Sequence, residues 1–230
     1  MRTNVLMISV LFFMSTLATA QDSHVTDASK TKLITFTSGF ESGILQFAKV
    51  ESQADISMST IPRFTYFFNT AVDANMKLGN HLNIFTGLAI KNLGLIIREN
   101  DSTRVKHRVY TLGAPLGVKV YLANKKVIMK VGADLNMAFN YRWKTINGKS
   151  KTKQSEFFSD KTSLFFPSVF AGISVQGVSV TASYYLNNFF HQSVQSLNTI
   201  DARLFTIGFG LNLDNQMEKL KKKQHKKRAL

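Results

Sequence analysis

The chain has 230 residues, 44% of them hydrophobic, and its 29 Lys and Arg against 14 Asp and Glu give a formal charge of +15. That length fits one domain. The absence of Cys excludes disulfides, zinc–thiolate sites and thiol catalysis together. Part of the positive charge is local: between Asp214 and Leu230, seven Lys and Arg stand against Asp214 and Glu218 alone.

The N-terminus reads as a secretory signal peptide over 1–20. Arg2 supplies the charged start, Val5 to Leu17 is apolar, and Ala18-Thr19-Ala20 is a small-residue cleavage site that makes Gln21 the first mature residue. The competing reading is a membrane anchor, but the apolar run falls short of the ~20 residues a spanning helix needs. A linker over 21–32 follows. Between 33 and 213 the sequence then falls into eight strand-like stretches: roughly 33–48, 62–77, 81–97, 107–122, 127–143, 166–175, 178–190 and 202–213. The links after the second, fourth and sixth are tight: Leu78-Gly79-Asn80, Ala123-Asn124-Lys125-Lys126 and Gln176-Gly177. The other links are long and polar. Alternation of short and long links is the wiring of a bacterial outer-membrane β-barrel, with short periplasmic turns and longer outside loops.

Parity within the stretches supports strands. In the last, Phe205, Ile207, Phe209, Leu211 and Leu213 share one face, and Thr206, Gly208, Gly210 and Asn212 the other. In the fifth, Val127, Met129, Val131, Ala133, Leu135, Met137, Phe139, Tyr141 and Trp143 face one way. Lys130, Gly132, Asp134, Asn136, Asn140 and Arg142 face the other. The hairpin at Gln176-Gly177 sets Ser174 opposite Ser179 and Gly172 opposite Thr181, with Val175 opposite Val178 on the outer face. The fourth and fifth stretches set Lys119 opposite Lys130, and a one-residue slip would break the pattern. The third loses its parity after Ile90, which predicts a bulge near Asn92. The first, holding Gly39 and Gly43, is the least regular. Aromatics gather where strands meet the long links, as girdles do at membrane interfaces. Core aromatics of a soluble sandwich are the competing reading of that feature.

The run from Arg108 to Lys119, Arg-Val-Tyr-Thr-Leu-Gly-Ala-Pro-Leu-Gly-Val-Lys, resembles the mid-barrel signature of PorT-like outer-membrane β-barrel proteins of the Bacteroidetes. Thr206 to Leu213 resembles their closing strand. The resemblance covers roughly Leu33 to Leu213 and implies fold and location, with a link in some members to protein secretion or surface assembly. Such barrels commonly end at the closing strand, whereas here a basic tail follows over 214–230. The expected architecture is therefore all-β: an eight-stranded antiparallel up-and-down transmembrane barrel between a signal peptide and a periplasmic basic tail, in the bacterial outer membrane.

No catalytic or metal-binding spacing stands out among His24, His81, His107, His191 and His225, so the expectation is a non-enzyme without a cofactor. His107 and His191, near Asp101, Ser102 and Ser193, would carry the lesser alternative of a lipid A-modifying enzyme. Charges on the polar face predict a lumen network of Arg63, Asp73, Lys77, Lys119, Lys130, Asp134 and Arg142, in which Asp134 bridges Lys119 and Lys130. Charges inside so narrow a barrel must be paired or hydrated. The network then acts as a plug, in a barrel with a structural, binding or surface-assembly role, or lines a narrow channel for ions or small solutes. The expected partners are outer-membrane lipid and lipopolysaccharide, the barrel-assembly machinery and an acidic periplasmic partner for the tail. Export argues against nucleic acid despite the charge.

Overall fold

Eight long strands hydrogen-bond side by side until the last meets the first. The computed structural model describes residues 34–52, 59–66, 69–98, 100, 102–122, 126–191 and 200–212. The signal peptide with its Ala20–Gln21 cleavage site, the 21–32 linker and the 214–230 tail lie outside the described residues. The ring runs through β1 (Ile34–Ser52), β4 (Asn69–Lys77), β5 (Leu82–Arg98), β6 (Thr103–Leu122), β7 (Val127–Asn147), β9 (Phe165–Val175), β10 (Val178–Tyr185) and β11 (Ile200–Asn212). It closes by antiparallel pairing of β11 with β1, from Gly39↔Asn212 to Ser52↔Ile200. Every neighbouring pair in the ring is antiparallel.

The registers expected at two hairpins are the observed ones. Ser174 pairs with Ser179, Gly172 with Thr181 and Val175 with Val178, and Lys119 pairs with Lys130. Gln176 and Gly177 turn with φ of 52° and 101°, the positive values that a two-residue hairpin matched to strand twist requires.

Four features differ from the sequence reading. The second stretch is broken and starts earlier than 62: short β2 (Ser59–Ile61) pairs with β5, short β3 (Arg63–Thr65) with β1, and only β4 pairs with both β1 and β5. Second, β5 has no bulge at Asn92. Its pairing with β6 keeps one register from Leu82↔Val120 to Arg98↔Arg104. The irregularity lies on the other side, where β4 pairs no further than Ile90 and β2 begins at Ile96. Third, β7 continues into a hairpin with β8 (Ser150–Phe157), turning at Gly148 with φ 53°; the polar composition of this segment had read as a link. Fourth, β10 stops at Tyr185, and 186–191 follow as irregular chain.

Two bulges matter for which way side chains point. One lies in β1 between Glu41 and Gly43. The other shifts the β6–β7 register, from Tyr110↔Asn140 to Thr111↔Ala138, so that Phe139 is the extra residue. An extra residue exchanges the faces of everything beyond it. Before Phe139, Asp134, Asn136 and Ala138 point inward; after it, buried Tyr141 does, and Arg142 is exposed outside. The expected outward placement of Tyr141 and inward placement of Arg142 are thereby reversed. The sequence hides the switch because Phe139, Tyr141 and Trp143 extend the apolar parity straight across it.

Gly117 and Gly132 face each other across β6 and β7. A Cβ on Gly132 would clash with the Leu116 carbonyl oxygen and lie 2.8 Å from Phe170 Cζ, and one on Gly117 would lie 2.9 Å from Phe85 Cε1. The two rings lie where these glycines offer no side chain, which sets how closely Phe85 and Phe170 pack across the interior. We expect Gly132→Val to press on the β6 backbone at Leu116 and Gly117 and to displace Phe170, and to cost about 1–3 kcal/mol, as overpacking generally does. Equilibrium unfolding from lipid vesicles measures it, and unchanged stability would mean that the β6 backbone and the ring both yield freely.

Candidate functional site

The outer wall changes character along β6 and β7. The outward column of β6, read from the tight-turn end, is Leu122, Val120, Val118, Leu116, Ala114, Leu112, then Tyr110, then Arg108, Lys106 and Arg104. From Leu112 to Leu122 the strand advances about 33 Å at ~3.3 Å per residue; at a tilt of ~40° it rises about 25 Å, the height of the apolar band of an outer-membrane barrel. The outward column of β7 repeats the order: Val127, Met129, Val131, Ala133, Leu135 and Met137, then Phe139, then Arg142 and Lys144. Leu116 is 62% exposed and Val131 58%. Such exposure suits lipid, since a soluble chain would bury these side chains.

The inner wall changes in the opposite sense. Beside the apolar band, the interior is polar: Asn75, Asn83, Lys119, Asp134, Ser174 and Thr181 are all buried. Asp73 and Lys119 form an ion pair at 2.8 Å, with Thr37 Oγ1 3.5 Å from the same ammonium. Asp134 pairs with Lys91 of β5. Lys119 also lies over the Phe85 ring, 4.7 Å from its centroid, and Lys130 over that of Phe170 at 6.0 Å. These groups surround a cavity of about 110 Å³, lined among others by three carboxylates, Glu41, Asp73 and Asp134, and three ammonium groups, Lys91, Lys119 and Lys130. The cavity can hold water, and Asp134 Oδ1, Ser174 Oγ and Thr181 Oγ1 are buried without a protein partner.

Beyond the outer aromatic belt the interior becomes apolar. Leu93, Leu95, Val109, Tyr141, Phe166, Phe189, Phe190 and Leu204 form a buried cluster. Phe189 and Phe190 come from the chain after β10, which is laced to its surroundings. Ser163 N donates to Phe189 O, Phe189 N to Ala202 O, and Asn188 Oδ1 accepts from the Phe190 and Ala202 amides. His107 belongs to this cluster. Its Nδ1 lies 2.7 Å from the Tyr141 hydroxyl, and its ring meets Phe190 edge-on at 4.9 Å. Next to the cluster, Lys161 Nζ lies 4.1 Å from the Trp143 ring centroid and donates to Glu156. Hydrogen bonds from Lys161 and Ser159 hold the Glu156 carboxyl below the usual carboxylate range.

The seven expected lumen residues thus divide. Asp73, Lys119, Lys130 and Asp134 meet at the cavity. Asp134 does not bridge Lys119 and Lys130; each carboxylate instead takes its own lysine, Asp134 taking Lys91 and Asp73 taking Lys119. Lys77 has inward parity near the tight-turn end, opposite Asn83. Arg142 is outside: its Nε donates to Asn140 Oδ1 at 2.8 Å, and its guanidinium lies 5.3 Å from the Tyr110 ring centroid. Arg63 sits at the wall rather than in the cavity, where the ladder between β4 and β2 is missing. Its Nη1 donates to Gln46 Oε1 at 2.5 Å and its Nη2 to Asn92 Oδ1 at 3.1 Å. There Gln46 Nε2 donates to the Asn92 carbonyl at 2.6 Å, and the Asn92 amide donates to Asn69 Oδ1 at 3.0 Å. Among the described residues, side chains take the place of the missing ladder. Lys91 and Glu41 are the site residues that sequence reasoning missed. The parity of Leu82 to Ile90, carried one residue further, would have found Lys91; Glu41 precedes a bulge that the sequence does not mark.

A closed ring of eight strands, an apolar outer band with aromatics at its edge, and a polar interior define an outer-membrane β-barrel. No family model and no curated protein matches this chain. Among solved structures it is similar to Ail, the attachment invasion locus protein of Yersinia pestis, at 11% identity and a TM-score of 0.36, over 77% of this chain and 97% of that one. Neisserial surface protein A matches at 17% identity and 0.38, over 78% and 97%. The outer membrane protein OprG from Pseudomonas aeruginosa matches at 10% identity and 0.33, over 78% and 94%.

The cavity pairing yields a direct test. Asp134→Asn leaves Lys91 without its carboxylate in the interior, which should cost about 3–5 kcal/mol. Adding Lys91→Met should restore most of that loss, because no uncompensated charge remains. Unfolding midpoints of the two single variants and the double variant measure the coupling; strictly additive losses would mean that the pair contributes nothing as a pair.

Proposed function

We propose that this chain is a closed, non-conducting outer-membrane barrel that acts by binding at its outer surface, in a structural or surface-assembly role, and that it is not an enzyme. The observation that carries the reading is the apolar cluster across the long-link end of the interior: Leu93, Tyr141, Phe166, Phe189 and Phe190 are each no more than 2% exposed. Below it the lumen charges are balanced around a small cavity. A conducting pore needs a continuous wet path, and packed aromatic rings offer none. The β7–β8 hairpin stands beyond the ring, its β8 paired with β7 alone, and offers projecting surface. His107, the residue most suited by position to lipid A chemistry, is turned inward against Tyr141 and Phe190. The runs Arg108 to Lys119 and Thr206 to Leu213 support a PorT-like assignment. On this reading the partners are outer-membrane lipid with lipopolysaccharide, the barrel-assembly machinery and, for the tail outside the described residues, an acidic periplasmic protein.

The channel is the rival, favoured by the three lysines around the cavity. Planar-bilayer recording of the purified full chain decides between them. The closed reading expects no steady conductance in the wild type, and flickering openings when Phe189 and Phe190 are both replaced by Ala. Steady wild-type conductance would overturn the reading.

A further inference from the structure

The outward face of β6, β7 and β8 beyond the aromatic belt is densely basic. Lys106, Lys144 and Lys153 stand directly opposite one another in one cross-strand row. Arg108 and Arg142 form the row nearer the belt, and Arg104 and Lys151 flank Ile146 in the row beyond. No member of these rows has a carboxylate partner among the described residues. Like charges placed directly opposite destabilise a sheet. Partial desolvation, then the cations of Lys153, Lys151 and Lys106, hold the Lys144 ammonium below its usual range. A surface so arranged is unfavourable on its own and becomes favourable against an anion.

Its position indicates which anion. Arg108, Lys106, Arg104, Arg142 and Lys144 continue the same outward columns that carry Leu112, Leu116, Leu135 and Met137, and Lys151 and Lys153 stand beside them on β8. They therefore face sideways from the barrel wall, towards whatever surrounds the barrel just above the hydrocarbon. Arg108 lies two positions along the strand from Tyr110, a step of about 6.6 Å, so the first basic row lies at headgroup height. The Phe139 bulge is what turns Arg142 and Lys144 to this face; without it they would point inward, out of line with Arg108 and Lys106. Arginine and lysine rows at that height match phosphate groups in charge and in hydrogen-bonding geometry.

We propose that this face of β6–β8 is a binding site for the phosphorylated headgroup of an outer-leaflet glycolipid, with Lys106, Lys144 and Lys153 at its centre. The proposal rests on the outer-membrane reading above and specifies the surface and the chemistry of its partner.

The test offers diphosphorylated lipid A, its dephosphorylated form and the soluble polyanion dextran sulfate to the purified full chain in detergent, with retention read by native mass spectrometry. The wild type should retain the diphosphorylated lipid at least tenfold better than the dephosphorylated form, and more weakly as salt rises. Lys106→Gln/Lys144→Gln/Lys153→Gln should lose that preference, while Lys77→Gln at the other end of the barrel keeps it. Because the triple variant removes repulsion, it should melt no lower than wild type. Lys106→Gln alone, expected to give a partial loss, serves if the triple variant fails to insert. Equal retention of both lipids by the wild type, or undiminished preference in the folded variants, would overturn the proposal. So would dextran sulfate displacing the lipid completely while binding more tightly, since that marks a receptor for soluble polyanions. Bilayer conductance is unaffected by any of these results, so this proposal and the closed-barrel reading fail separately.

Discussion

Backbone hydrogen bonding in a medium without water governs this molecule. Each unsatisfied amide or carbonyl in hydrocarbon costs several kcal/mol, so a sheet can cross only if it has no edge. Pairing of β11 with β1 removes the last one. The same requirement explains the most irregular part of the wall. Where β4 ends and β2 has not begun, the amide and carbonyl of Asn92 would be orphaned, and the side chains of Asn69 and Gln46 meet them instead. Arg63 then ties Gln46 to Asn92. A charge that parity assigns to the lumen is used to seal a gap in the wall.

The two halves of β6 and of β7 obey opposite rules because their surroundings differ. Beside lipid, the outer face is apolar and the interior carries ions and amides. Beyond the aromatic belt, the outer face is basic and the interior holds a packed aromatic core, as in a soluble protein. The bulges mark where strands adjust to this exchange. That in β7 brings Tyr141 in to stack near His107 and Trp143, and sends Arg142 out to Tyr110. Closure of the lumen and the basic outer face thus depend on the same extra residue.

Strand number, link lengths and hairpin registers were legible in the sequence because a half-buried strand must alternate, and tight turns leave little freedom in pairing. The outward columns of β10 and β11 read off directly. What was not legible had a common cause: parity is a local count and fails silently across an inserted residue. Tyr141 and Trp143 are apolar on either face, so nothing near Phe139 signals the switch that misplaced Arg142. Lys91 was missed because the run after Ile90 carries apolar residues on both faces, one set against the interior cluster and the other around the wall gap. Salt-bridge partners across the lumen depend on ring closure, which a strand-by-strand reading does not supply; Asp134 therefore seemed closest to its neighbours Lys119 and Lys130 and in fact reaches across to Lys91.

In β6 one continuous strand passes from lipid into water with its even-numbered side chains still facing outward. The chain lacks Cys, so a single Cys can be placed and spin-labelled at each position of β6 without a background thiol. Collision rates with oxygen, which concentrates in hydrocarbon, and with a water-soluble nickel complex then map the environment in vesicles. Oxygen access is expected at 112, 114, 116, 118 and 120, nickel access at 104, 106 and 108, a crossover at 110, and little access to either reagent at the odd positions between. Nickel access along the whole even-numbered column, or oxygen access at 104 to 108, would contradict this placement of β6.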